Sequence, residues 1–194
     1  MNQYIMFRRR REKKTDYRQR LALLKSKKTR MIIRRSLKGV RIQFTNSGPS
    51  GDVVVVERTS KNLSELGWSC HSANLPASYL TGFLAGAEAL SKGVKDAIVD
   101  IGLQNSARSS GLYCAAAGAR DAGVAVNIGE EAIPPKDRIS GKHIADYAAK
   151  IKNSPAYQRQ FSSYLKKGIN PEKINEIFSH VKTEIAAKYG IKER

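Results

Sequence analysis

The spacing of apolar residues changes repeatedly along the chain. Residues 1–14 show no apolar period and are expected to be disordered alone. Tyr17, Leu21 and Leu24 then recur at helical spacing, so a short helix from Asp16 to about Lys27 is predicted, capped by Thr15. The period next shortens to two. Met31–Arg35 reads as a strand, Ser36–Gly39 as a turn, and Val40, Ile42 and Phe44 as the inward face of a second strand. Asn46–Gly51 is dense in turn formers. Val53–Val56 is a β-branched run, expected to be covered on both faces.

Pro76 suits the first turn of a helix reaching Lys92 and stopping at Gly93. Asp96–Gly102 reads as a short buried strand, Gln104–Gly111 as a polar loop, Leu112–Ala122 as an alanine-rich helix and Val124–Val126 as a last strand. Helical spacing returns after Pro134, with starts at Ser140, Ser154 and Asn170 and stops at Gly168 and Gly190. The order β-β-β-α-β-α-β predicts an α/β body. Its sheet is mixed, an antiparallel meander plus parallel strands, with flanking helices. The predicted division is a basic arm with a short helix over 1–28, the body over 29–133 and a helical C-terminal extension over 134–194. That extension is expected to dock on the body or on a partner.

Charge sharpens this picture. The 194 residues carry 35 Lys and Arg against 17 Asp and Glu, a net charge of +18. Up to Arg41 there are sixteen cations against only Glu12 and Asp16; the remainder holds nineteen against fifteen acids. A one-sign arm on a nearly balanced body is the pattern of a nucleic-acid-binding tail. Two cysteines, Cys70 and Cys114, are too few for a disulfide framework. No run is apolar enough for a signal peptide or a spanning helix, so a cytoplasmic protein without a membrane partner is expected.

Candidate chemistry is sparse. No phosphate-binding glycine loop is present, and His71, His143 and His180 are scattered, so neither a cofactor nor a metal is expected. Gly82 and Gly86, four apart on one helix, suggest close approach of that helix to the sheet. The strand order is shared by ribonuclease-H-like nucleases, which hold metal ions with clustered carboxylates. Asp96 and Asp100 lie on the fourth predicted strand, but the first strand offers arginines where an acid is needed. A metal-dependent RNA-processing nuclease is therefore the alternative, Asp96 and Asp100 are expected to cap or pair locally, and no catalytic residue is assigned.

Several motifs occur in an order that resembles one family. They are Arg8–Ser26, Arg30–Arg34, Gly51–Val53, Gly67–Trp68, Pro76–Gly86, Asp100–Leu103, Asp121–Gly123 and Arg138–Tyr147. Over about Arg8 to Lys150 the chain resembles the archaeal and eukaryotic large-subunit ribosomal proteins that bind 5S rRNA, family eighteen in universal naming. The tail after Asn153 looks like the archaeal-type extension. The resemblance implies a body with the ribonuclease-H-like strand order but no nuclease activity. It implies 5S rRNA and 23S-type large-subunit rRNA as partners in the central protuberance, with a family-five ribosomal protein as neighbour. Thr29 stands where many members have proline. Gln104–Ser106 replaces a more basic loop, which leaves Arg108 as the candidate contact there.

The RNA-binding residues expected on the arm are Arg8, Arg9, Arg10, Arg11, Lys13, Lys14, Tyr17, Arg18, Arg20, Lys25, Lys27 and Lys28. On the first strand they are Arg30, Arg34 and Arg35, and on the body Lys61, Arg108, Lys136, Arg138 and Lys142. Arginine grips phosphate bidentately and lysine acts as a point charge. Tyr4, Phe7 and Tyr17 are candidates to stack on unpaired bases.

Overall fold

The computed structural model describes residues 5–191, so Tyr4 lies outside the described residues. Arg8–Arg11 form a single helical turn, α1, where no ordered structure was expected. Helix α2 spans Tyr17–Lys25. Its cap is Asp16 rather than Thr15. The Asp16 carboxylate accepts from the Arg18 and Gln19 amides at 2.9 and 3.1 Å, whereas the Thr15 hydroxyl is taken by Arg9 Nε at 2.9 Å.

Strands β1 (Arg30–Arg35), β2 (Val40–Gly48) and β3 (Gly51–Thr59) form the antiparallel meander. The turn signal at 46–51 is tighter than expected, because Asn46–Gly48 and Gly51 still pair in the hairpin. After α3 (Leu75–Ser91), β4 (Asp96–Asp100) runs parallel to β1; after α4 (Gly111–Asp121), β5 (Ala125–Val126) runs parallel to β4. The strand order is β3-β2-β1-β4-β5. Strand β3 is thus an edge, and the expectation that its valines are covered on both faces fails. Val53 and Val54 are exposed, and only Val56 is fully buried.

Alternation assigns the sheet's two faces. Met31, Ile33, Val40, Ile42 and Phe44 point inward and pack with Ala85, Ala89, Ala115 and Ala119 of α3 and α4. Ile32, Arg34, Arg41 and Gln43 stay exposed or half-buried on the other face. Asn74 caps α3 through its side chain, and Pro76 occupies the first turn.

The two helices meet through small residues. A Cβ on Gly82 would run into the Ala115 carbonyl, and one on Gly86 would meet Ala119 Cα at 2.8 Å. The close approach read from Gly82 and Gly86 is real, but its partner is the neighbouring helix rather than the sheet.

The C-terminal extension forms α5 (Lys136–Ser140), α6 (Lys142–Ile151), α7 (Pro155–Gln160), α8 (Ser162–Leu165) and α9 (Ile174–Tyr189). Ser140 does not cap α6. It closes α5, and Gly141 makes the break at φ 88°, a conformation that favours glycine. Ser154 and Asn170 do cap the segments they precede. Helix α9 docks on the body, where Ile174, Phe178, Val181 and Ile185 share a core with Leu63, Trp68, Leu80 and Phe83. Helix α3 is therefore buried on nearly all sides, between the sheet and α9.

Candidate nucleic-acid interface

The arm meets the body through a chain of charges. Arg20 Nη2 on α2 lies 2.8 Å from Asp52 Oδ2 at the start of β3. The same oxygen sits 2.6 Å from Arg30 Nη2, and Arg30 Nη1 donates to Asp100 Oδ2 at 3.0 Å. Asp100 Oδ1 accepts from Arg34 Nη2 at 3.1 Å and from the Gly102 amide at 2.9 Å. Burial opposes ionisation of Asp52, but Arg30 and Arg20 outweigh it and hold the carboxyl below its ordinary 3.8. Lys28 reaches Asp96 at 3.2 Å and the Thr29 hydroxyl donates to Asn46 at 2.7 Å, two further ties at the base of the arm.

Arg30 is a correction. Its exposure is 1%, so it is a buried structural cation with no surface to offer an external phosphate. Its Nε has no hydrogen-bond partner among the described residues. Asp96 and Asp100 do pair, but with cations far away in sequence, Asp96 with Lys28 and Asp100 with Arg30 and Arg34 of β1; the local bond is the one that Asp100 accepts from the Gly102 amide. With both acids engaged by cations, and no cluster of three potential metal ligands among the described residues, nothing supports the nuclease alternative.

Elsewhere on the arm the cations divide. Arg8 and Lys14 share Glu12, at 3.4 and 2.9 Å. Arg10, Arg11, Lys13, Arg18, Lys25 and Lys27 are all exposed, and none has a carboxylate partner among the described residues. Helix α2 buries no residue, and Leu21 of its apolar stripe is exposed. Tyr17 is half-buried against Phe7, ring centroids 5.2 Å apart and planes tilted by 47°, so two of the three stacking candidates pack against each other without stacking.

On the body, Arg34 and Lys61 come together around an open cavity of about 590 Å³ on the uncovered face of the sheet; Arg35 reaches its rim, but its side chain turns to the helix side, beside Gly111. Lys38 and Arg41 line the same cavity. Sequence reasoning missed both, although the alternation that turns Ile42 inward turns Arg41 outward. It also missed Asp52, whose only signal was its position as a lone acid at a hairpin tip. Arg35 Nη2 donates to the Ala73 carbonyl at 2.9 Å. Its backbone is clamped by Gln104, which accepts from the Arg35 amide at 3.0 Å and donates to its carbonyl at 2.6 Å. The polar loop after β4 is thereby tied to the end of β1.

Arg108 extends from that loop to Glu131 at 3.2 Å, and both side chains are largely exposed. Lys136, Arg138 and Lys142 are exposed on α5 and at the start of α6, away from the arm. Lys142 lies 3.6 Å from Asp137. Helix α5 packs on α3 and α9, so these three form a separate patch. No helix among the described residues is long and apolar enough to cross a membrane.

Residues 2–97 match the family model described as ribosomal large subunit proteins 60S L5 and 50S L18. A Korarchaeum cryptofilum protein, large ribosomal subunit protein uL18, is 46% identical over 183 residues, covering 94% of both chains. The protein of the same name from Methanococcus maripaludis is 43% identical over 182 residues, covering 93% of this chain and 94% of its own.

Proposed function

The chain belongs to the uL18 family of large-ribosomal-subunit proteins, and on that premise we propose that it binds 5S rRNA and anchors it to 23S-type rRNA in the central protuberance. Membership in this family makes its role structural rather than enzymatic and gives it ribosomal RNA as partner. In the proposed arrangement the arm lies between the two RNAs, and a family-five ribosomal protein is the neighbour.

The observation that carries this reading is where the unpaired charge sits. Arg10, Arg11, Lys13, Arg18, Lys25 and Lys27 are held on a segment that buries nothing, with no acid to satisfy them among the described residues. Such cations gain most from phosphates, because each phosphate neutralised releases condensed counterions. The uncovered sheet face, with Arg34, Lys38, Arg41 and Lys61, continues that surface onto the body. Structured RNA is recognised there by shape, 2′-hydroxyls and splayed bases. The body supplies orientation and the arm supplies charge. Arg108, Lys136, Arg138 and Lys142 are secondary contacts in this reading, and Arg30 is not one.

The test is a binding titration with cognate 5S rRNA against an unrelated folded RNA of equal length as competitor, in moderate salt. Marked preference for 5S rRNA is expected. Equal binding of the two RNAs would overturn the 5S assignment.

A further inference from the structure

Where the arm passes the carboxyl ends of β1 and β4 it encloses a second cavity, of about 420 Å³. Arg34, Gly102 and Leu103 form its body side; Arg9, Tyr17 and Gln19 stand on the arm side. The volume falls within the roughly 300–1,000 Å³ of small-molecule sites.

The acids lining this cavity are already engaged. Asp16 caps α2, and Asp100 holds Arg30, Arg34 and the Gly102 amide. What is left over is specific. Arg9 spends Nε on Thr15 but has no carboxylate partner among the described residues. The Gln19 amide, with donors and an acceptor, makes no side-chain hydrogen bond among them. Tyr17 offers an aromatic surface and Leu103, 56% exposed, an apolar one. The cavity on the sheet face differs, because its amide, Gln43, is bound to Glu57 at 2.7 Å and its described lining contains no aromatic ring.

A free cation, a flat apolar surface and an unsatisfied amide match the phosphate, the face and the edge of one nucleotide. We infer that this cavity receives a single unstacked nucleotide of the bound RNA, with its phosphate at Arg9, its base against Tyr17 and Leu103, and its edge at Gln19. The inference rests on the RNA-binding reading above and adds to it a base-contacting pocket inside an otherwise electrostatic arm.

Two measurements on the full chain test it. In the first, AMP, GMP, CMP and UMP are titrated separately into ¹⁵N-labelled protein, with inorganic phosphate at equal concentration as control. Saturable shifts of the Thr15, Gln19, Gly102 and Leu103 amides are expected with at least one nucleotide, but not with phosphate, and in Gln19→Ala the remaining shifts should need about fivefold more nucleotide. Alanine keeps α2 helical, so loss of fold does not mimic loss of the site. In the second, Gln19→Ala should bind 5S rRNA about fivefold more weakly, the worth of one hydrogen bond, with its salt dependence unchanged. Removing a phosphate contact such as Arg10 should flatten the salt dependence instead. Shifts that are absent or equal with phosphate, or a Gln19→Ala variant as tight as the parent, would overturn the inference. The nucleotide titration uses no 5S rRNA, so it decides the cavity even if the 5S assignment fails, and the parent's 5S binding decides that assignment even if the cavity is empty.

Discussion

Replacing Asp100 with alanine removes the hub of the charge chain that joins arm and body. The Asp100 side chain is 9% exposed and the Arg30 side chain 2%, so neither is well screened by water. Arg30 would be left buried with only Asp52, at 2.6 Å. A hydrogen bond to a charged group is worth about 1.5–3 kcal/mol, and breaking a buried pair costs about 3–5 kcal/mol. Because Asp52 still serves Arg30, the lower end applies to that contact, about 2 kcal/mol. The lost acceptor for the Gly102 amide adds about 1 kcal/mol. Arg34 is 43% exposed and adds little. The expected destabilisation is about 3 kcal/mol, or roughly 6–12 °C in Tm for a chain of this size. Urea unfolding at neutral pH measures it, with Arg34→Ala expected below about 1 kcal/mol. Adding Arg30→Met to Asp100→Ala should recover part of the loss, since the stranded charge goes with it. If Asp100→Ala costs less than about 1 kcal/mol at unchanged denaturant slope, the chain of charges is not a buried support and the reasoning fails.

Gly82→Ala pushes a methyl into the Ala115 carbonyl and should cost about 3 kcal/mol or more, read by thermal melting; a neutral substitution would mean that α3 and α4 separate easily. Because Arg30 and Arg20 depress the Asp52 pKa, the stability it contributes is fully present above the ordinary 3.8 and is lost as pH falls below it. Asp52→Asn should therefore flatten the acid limb of a stability–pH curve and leave the neutral limb's slope unchanged. Burial pushes the Cys70 thiol up to about 11 and the Cys114 thiol to about 12. At pH 8 only about a thousandth of Cys70, and less of Cys114, is thiolate, so iodoacetamide should label the native chain far more slowly than the denatured one.

Much of this architecture could be read from periodicity, because each signal reports a local cause. Alternation at Val40, Ile42 and Phe44 assigns a face, Pro76 fits a first helical turn, and Ser154 and Asn170 cap the helical turns that begin just after them. The misses share another origin: they depend on what stands opposite. Val53–Val56 looks like an interior strand, but no described strand pairs with the outer edge of β3, and two of its valines face solvent. Thr15 and Asp16 are both good caps, and Arg9 takes the threonine. Arg30 is indistinguishable from Arg34 in a one-sign run. Only the placement of Asp52 and Asp100 around it makes one a core residue and leaves the other at the surface. The candidate interface was legible as charge, since composition records how many cations the arm holds. Which of them lack acids is a property of the fold.

The central claim is that unpaired arm cations hold 5S rRNA through its phosphates. The most direct measurement is the slope of log K against log salt for 5S rRNA. It should be made on the parent chain and on a variant with Arg10, Arg11, Lys13, Arg18, Lys25 and Lys27 all changed to glutamine. Each lost phosphate contact should reduce the slope by about 0.7–0.9, so a reduction of up to roughly 5 is expected, with affinity falling most at low salt. An unchanged slope would contradict the account and place the RNA contacts elsewhere on the molecule.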